Sequence, residues 1–158
     1  MAAATGSIEA APAVRAREPQ IRLATTPSEI GRCHAVMLEL RPQHPDRKAF
    51  IRQVRRQQRE GFQLAFLEAD REVRAVAGFR IMEMLFSGET LYVDDLVTRE
   101  ADRSCGFGAQ LFDWLIAQAR ERGCKLLTLD SGVHRFDAHR FYLMKRMQIA
   151  AHHFTIEL

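Results

Sequence analysis

The sequence has little of what would build a stapled, metal-centred or membrane-spanning protein. Its three cysteines, Cys33, Cys105 and Cys124, are widely spaced and form no C-x-x-C pair. That excludes a disulfide framework and a zinc knuckle, and it sets the cytoplasm as the expected compartment. No stretch approaches the roughly 20 consecutive apolar residues of a membrane span, so no membrane partner is expected. The Ala-rich opening is interrupted by Glu9 and Pro12, unlike a signal-peptide h-region, and residues 1–19 read as a disordered or loosely attached arm. An excess of one charge is also missing: 23 basic against 20 acidic residues leave a net charge of +3. That is mild for a nucleic-acid binder, and the basic run RQVRRQQRE (Arg52 to Glu60) reads as a solvated helix face. His152 and His153 are adjacent, hence on opposite sides of a strand, and His134 and His139 lack an acidic partner at ligand spacing, so no metal site is expected.

What is present is a core. Hydrophobic residues make up 47% of 158, enough for one domain over residues 20–158. Strand-like QIRLAT precedes a helix that Thr26 or Ser28 caps and Pro42 ends, and a second helix runs from about Arg47 to Glu60. FQLAFLEA, VRAVAGFRIMEML and LYVDDLVT read as strands separated by the turns at Asp70–Glu72 and Ser87–Thr90. Phe107, Leu111, Leu115 and Ala119 recur every four residues and predict a helix closed by Gly123. KLLTLDS reads as a buried strand, DAHRFYLMKRM as a short helix and AAHHFTIEL as a last strand. The fold class is therefore α/β or α+β. A mixed central sheet carries helices on both faces, with a parallel pair formed across the helix at Phe107.

Glycine is sparse, yet two of the nine fall one residue apart in RSCGFG, Arg103 to Gly108, where a strand turns into a helix. A helix start leaves about four backbone N–H groups without internal partners, next to the positive end of the macrodipole. Amides from Ser104, Cys105, Gly106, Phe107, Gly108 and Ala109, with Arg103, can then hold an anion such as a pyrophosphate. A helix cap with incidental glycines is the plainer alternative. No lysine follows Gly108, which excludes a Walker A loop, and Gln110 and Leu111 stand where a third Rossmann glycine would be.

The R-x-x-G-x-G pattern at the head of a helix between parallel strands resembles the acetyl-coenzyme A loop of the GCN5-related N-acetyltransferases. DAHRFYLMKRM resembles that family's A-x-x-[LF]-Y helix, with Ala138, Phe141 and Tyr142 in place. The likeness runs from Gln20 onward, although Arg135 and Arg146-Met147 replace the family's usual asparagine and Gly-Phe. It implies that the strand LYVDDLVT splays from KLLTLDS. It also implies that the pantetheine arm of acetyl-coenzyme A pairs with the main chain of Leu96, Val97 and Thr98, and that a thioester reaches the middle of the sheet.

Aminolysis of that thioester needs a carboxylate to take the amine's proton and an acid to meet the thiolate. Asp94 is the expected base, placed by alternation on one face with Tyr92 and Leu96 and apart from Asp95. Tyr142, protonated at neutral pH, is the expected acid. Glu83, Tyr92 and Asp95 are expected to face the acceptor. A structural ion pair is the competing role for Asp95, and a buried aromatic the competing role for Tyr142. The resulting expectation is an acetyl-coenzyme A-dependent N-acetyltransferase acting on a primary amine of a small molecule or protein in a ternary complex. A non-catalytic acyl-coenzyme A-binding module of the same fold is the alternative. Nucleic acid is not an expected partner, and the edge HHFTIEL is a candidate homodimer contact.

Overall fold

The computed structural model describes residues 18–158, so all but the last two residues of the expected N-terminal arm lie outside the described part. Strand β1 (Gln20–Leu23) leads into helices α1 (Pro27–Leu40) and α2 (Arg47–Gln58), then strands β2 (Gln63–Ala69), β3 (Glu72–Met84) and β4 (Gly88–Thr98). After a 3-10 turn at Glu100–Asp102 come α3 (Phe107–Glu121), β5 (Leu126–Leu129) and α4 (Phe136–Met144). One sheet orders the strands β1-β2-β3-β4-β5, antiparallel until β4 and β5, which run parallel.

Local chemistry accounts for the boundaries. Thr26 rather than Ser28 caps α1: its hydroxyl accepts from Glu29 N at 3.2 Å, and Glu29 returns a carboxylate to Thr26 N at 2.9 Å, a reciprocal capping box. Asp46 caps α2 by accepting from Lys48 N at 2.8 Å and Ala49 N at 3.3 Å. Asp70 and Arg71 take positive φ, 52° and 65°, as a tight two-residue hairpin requires.

Both faces of the sheet are covered. Ile30, Cys33, Met37, Phe50 and Val54 from α1 and α2 pack on Leu64, Phe66, Val76 and Val97. On the other side Leu111, Phe112 and Leu115 of α3 pack on Leu67, Phe79, Leu91 and Val93. Strands buried on both faces lose polar alternation, which is why β2 and β3 read as near-continuous apolar runs. Phe66, Phe79 and Phe112 are fully buried, each contributing about 1.5–3 kcal/mol by transfer from water.

The last strand expected from the sequence does not form. Residues 151–158 have no regular structure and are exposed, so β5 is the edge strand and the expected dimer edge at HHFTIEL is absent as a strand. Phe154, Ile156 and Leu158 alternate with polar residues in the sequence but stand exposed, beside a β5 only four residues long and an α4 that buries no side chain fully. The tail touches the domain through His153 Nδ1, 3.2 Å from Asp130 Oδ2.

Candidate active site

The pairing of β4 with β5 begins at Thr90–Leu126 and stops at Val93–Leu129, while β4 continues to Thr98. Beyond Val93 the sheet is split. At the same point the register with β3 jumps: Gly78 pairs with Asp95 and Phe79 with Val93, leaving Asp94 as the extra residue of a β-bulge. The bulge overturns the expected alternation. Leu91 and Val93 face α3, yet Val97 faces α1 and α2, and Leu96 packs on the α3 side. Asp94 therefore shares a surface with Tyr92 as expected, but not with Leu96. Asp95 joins them.

That surface is a cavity of about 330 Å³ between α1, α2 and the sheet, whose walls include Met37, Arg41, Phe50, Phe62, Tyr92, Asp94 and Asp95. Arg80 Nε donates to both oxygens of Asp94, at 3.2 and 3.0 Å. Arg41 Nε donates to Asp95 at 2.6 Å, so Asp95 forms the ion pair that competed with its acceptor role. Burial pushes the Asp94 carboxyl above its ordinary value, against the pull of Arg80. The Tyr92 hydroxyl donates to Asp130, the residue after β5, at 2.6 Å; burial, helped by that bond, pushes its phenol up to about 12. Glu83 is misplaced by the sequence reading. It pairs with Glu89 toward the far end of the β3–β4 hairpin, an odd number of residues from Arg80, and stands exposed outside the cavity.

On the opposite face Tyr142 of α4 packs against Phe112 and Phe141, with ring centroids 5.9 and 5.4 Å away. Its layer includes Leu96, Phe107 and Leu129, the apolar residues beside the split. Burial raises its pKa, with the charge of Arg135 pulling it down. Among the described residues its hydroxyl makes no hydrogen bond.

The glycine turn lies just beyond β4. Gly106 is the N-cap of α3 with φ +85°, and a Cβ built there would meet nothing within 4 Å. Unlike α1 and α2, α3 has no side-chain cap. Its first amides, Phe107 to Ala109, have no partner among the described residues, as an anion cradle requires. Two details depart from the sequence reading. The Cys105 amide is not free, since it donates to Asp102 O at 3.3 Å. Gly108 serves packing, because a Cβ there would sit 2.6 Å from Thr98 Oγ1. Arg103 is exposed at the rim.

Several site residues escaped the sequence reading. Gln53 and Gln57, four apart on the inner side of α2, line the cavity, and that polar spacing beside Phe50 and Val54 was the available signal. Buried Asp102 draws Arg74, at 3.1 Å, and Arg99 into one network that pins the turn before the glycines. No local pattern announces this network, because its members come from separate elements.

The split sheet, uncapped helix and acid-lined cavity define an acyltransferase-type fold. The sequence model described as the acetyltransferase (GNAT) family matches residues 29–146. The chain belongs to this family and is an N-acetyltransferase. It is 34% identical over 122 residues to the uncharacterized N-acetyltransferase YhdJ of Bacillus subtilis, covering 77% of this chain and 85% of that one. It is 29% identical over 149 residues to the aminoalkylphosphonate N-acetyltransferase of Salmonella typhimurium, covering 86% and 89%. The aminoglycoside N-acetyltransferase AAC(6')-Iy, solved in complex with CoA, superposes with a TM-score of 0.79 at 14% identity, over 93% of this chain and 99% of that one.

Proposed function

We propose that the protein transfers an acetyl group from acetyl-coenzyme A to a primary amine, of a small molecule or a protein, by direct attack in a ternary complex. The observation that carries this reading is the split itself. β4 runs on from Asp94 to Thr98 without β5 beside it, and its first unpaired residue is a bulged carboxylate facing a cavity.

The coenzyme's pyrophosphate fits the amides of Phe107, Gly108 and Ala109, with Gly106 open and Arg103 at hand. Its pantetheine fits the free main-chain edge of Leu96, Val97 and Thr98 by strand addition. The side chain of Val97 is buried in the α1–α2 core, so only its backbone is available there. When bound, the coenzyme supplies a thioester carbonyl. The acceptor amine approaches from the cavity, where Asp94 takes its proton as the N–C bond forms and Tyr92 and Asp95 frame the approach. On the other side Tyr142 gives its hydroxyl proton to the departing thiolate as the C–S bond breaks. A raised phenol pKa keeps that proton in place through neutral pH.

The test is thiol release from acetyl-coenzyme A with a panel of amines, alongside calorimetry of coenzyme binding. Amine-dependent release supports the reading. Tight coenzyme binding with no release on any amine leaves a binding module, and no coenzyme binding ends it.

A further inference from the structure

The outer face of α2 is entirely cationic. Lys48, Arg52, Arg55 and Arg56 on the helix and Arg59 at its C-cap are exposed, and no Asp or Glu lies between them; Arg47, also exposed, turns its guanidinium toward α1. Phe50 and Val54 are buried and Gln53 and Gln57 line the cavity, which fixes the outward side. At about 3.6 residues per turn Lys48, Arg52, Arg55 and Arg59 form a line along that side, roughly 16 Å long.

The N-cap Asp46 feels two of these charges, Arg52 and Lys48, which help to lower its carboxyl pKa after its bonds to the Ala49 and Lys48 amides, but it forms no ion pair with either. Arg22, Arg32, Arg41, Arg74, Arg80 and Arg99 each meet a carboxylate. Among the described residues none of the six α2 cations does. Arg47, Arg55 and Arg59 donate only to the carbonyls of Gly31, Thr25 and Arg55, at 2.8, 2.9 and 3.4 Å. The whole chain is only +3, so the remainder of the molecule is net negative; other described cations without an ion pair, such as Arg120 on α3 and Arg140 on α4, are scattered, whereas α2 and its C-cap carry six in one run. The face also borders the acceptor cavity, since Arg52 and Arg56 immediately precede the cavity-lining Gln53 and Gln57.

We infer that this face docks an acidic stretch of polypeptide whose own amine enters the cavity; the inference rests on the acetyl-transfer reading above. A small acceptor filling the cavity would not reach the outer side of α2. Nucleic acid would match the charge, but its exocyclic amines are conjugated to the bases and are poor nucleophiles. A polypeptide carries alkyl amines at its N-terminus and at lysines. At about 3.3 Å per extended residue the line of charges spans about five residues of such a chain.

The test compares peptides of equal length carrying one lysine flanked by glutamates or by serines, with a simple alkylamine as reference acceptor. The glutamate peptide is expected to show a KM about tenfold lower at low salt, converging with the serine peptide as salt rises. In the exposed-surface variant Arg52→Gln/Arg56→Gln that preference disappears while alkylamine turnover is unchanged. Equal KM values for the two peptides, or a preference that survives in the variant, overturn the inference. So does variant-sensitive binding of an RNA oligomer without peptide preference. If no amine is turned over, the acetyl-transfer reading has failed, and anisotropy of the labelled peptides still decides the docking: glutamate-selective, Arg52- and Arg56-dependent binding supports it, and its absence overturns it.

Discussion

The Nε of Arg80 donates to both carboxylate oxygens of Asp94, at 3.2 and 3.0 Å, while its guanidinium lies over the Phe62 ring, 5.3 Å from the centroid. Burial raises the Asp94 pKa and Arg80 holds it down. In the proposed role of base Asp94 must be ionised, so kcat/KM is expected to fall as pH drops through its folded pKa. Removing Arg80 takes away the restraining influence. Arg80→Gln is expected to shift the acid limb of the pH profile upward while coenzyme affinity stays constant. An unmoved limb would remove Arg80 from this role.

Asp94→Asn is expected to lower kcat by about 10²–10⁴, the usual worth of a positioned base. The replacement keeps the bulge and the size of the side chain, so circular dichroism and coenzyme calorimetry should match the wild type. Retention of more than a tenth of the activity would point to another group as the base.

Tyr142→Phe deletes one oxygen from a side chain whose ring already packs on Phe112 and Phe141. The ring contacts persist, so stability should change little. Single-turnover acetyl transfer at saturating acetyl-coenzyme A should slow by about 10²-fold or more. Unaltered turnover would leave Tyr142 as a packing residue only.

Gly108 and Thr98 form a coupled pair. In a helix Ala is ordinarily favoured over Gly by about 0.5–1 kcal/mol. A Cβ at 108, however, would lie 2.6 Å from Thr98 Oγ1, and overpacking costs about 1–3 kcal/mol. Gly108→Ala is expected to destabilise the fold and weaken coenzyme binding, and adding Thr98→Ala should recover both. A double-mutant cycle of melting and calorimetry reads the coupling directly. Additive effects would mean that the two side chains do not meet.

The element order through α4 was legible because apolar period and punctuation agree. Leu111, Leu115 and Ala119 are buried on one side of α3, and Gly61 and Gly123 take positive φ where their helices end. The family pattern at Arg103–Gly108 and Ala138–Tyr142 was legible too. The bulge at Asp94 was not. It depends on register with β3, where Gly78 leaves room for Phe62, whose Cζ would lie 2.6 Å from a Cβ at that position. Strict alternation assumes a regular strand, so it separated two aspartates that the structure brings to one cavity. Glu83 failed for a related reason: its charge suited the site, but hairpin register carried it outward. The final strand failed because alternation reports a preference for extended chain and says nothing of which neighbour would pair with it.

The cap of α1 makes stability depend on acid. Glu29 Oε2 accepts from Thr26 N at 2.9 Å, the Thr26 hydroxyl at 2.9 Å and Thr25 N at 3.0 Å, and these bonds hold its carboxyl down to about 2 from an ordinary 4.5. Between those values the native state binds fewer protons than the unfolded chain, so stability rises with pH there. The contribution is fully present above about pH 4.5 and drains away as pH falls toward 2. Glu29→Gln keeps a hydrogen-bonding side chain but lacks the charge. Its melting temperature should lie below the wild type's at pH 7, with the gap closing between pH 4.5 and 2 as the wild type loses the same charge. Parallel melting curves across that range would show that the charge of Glu29 does not stabilise the helix start.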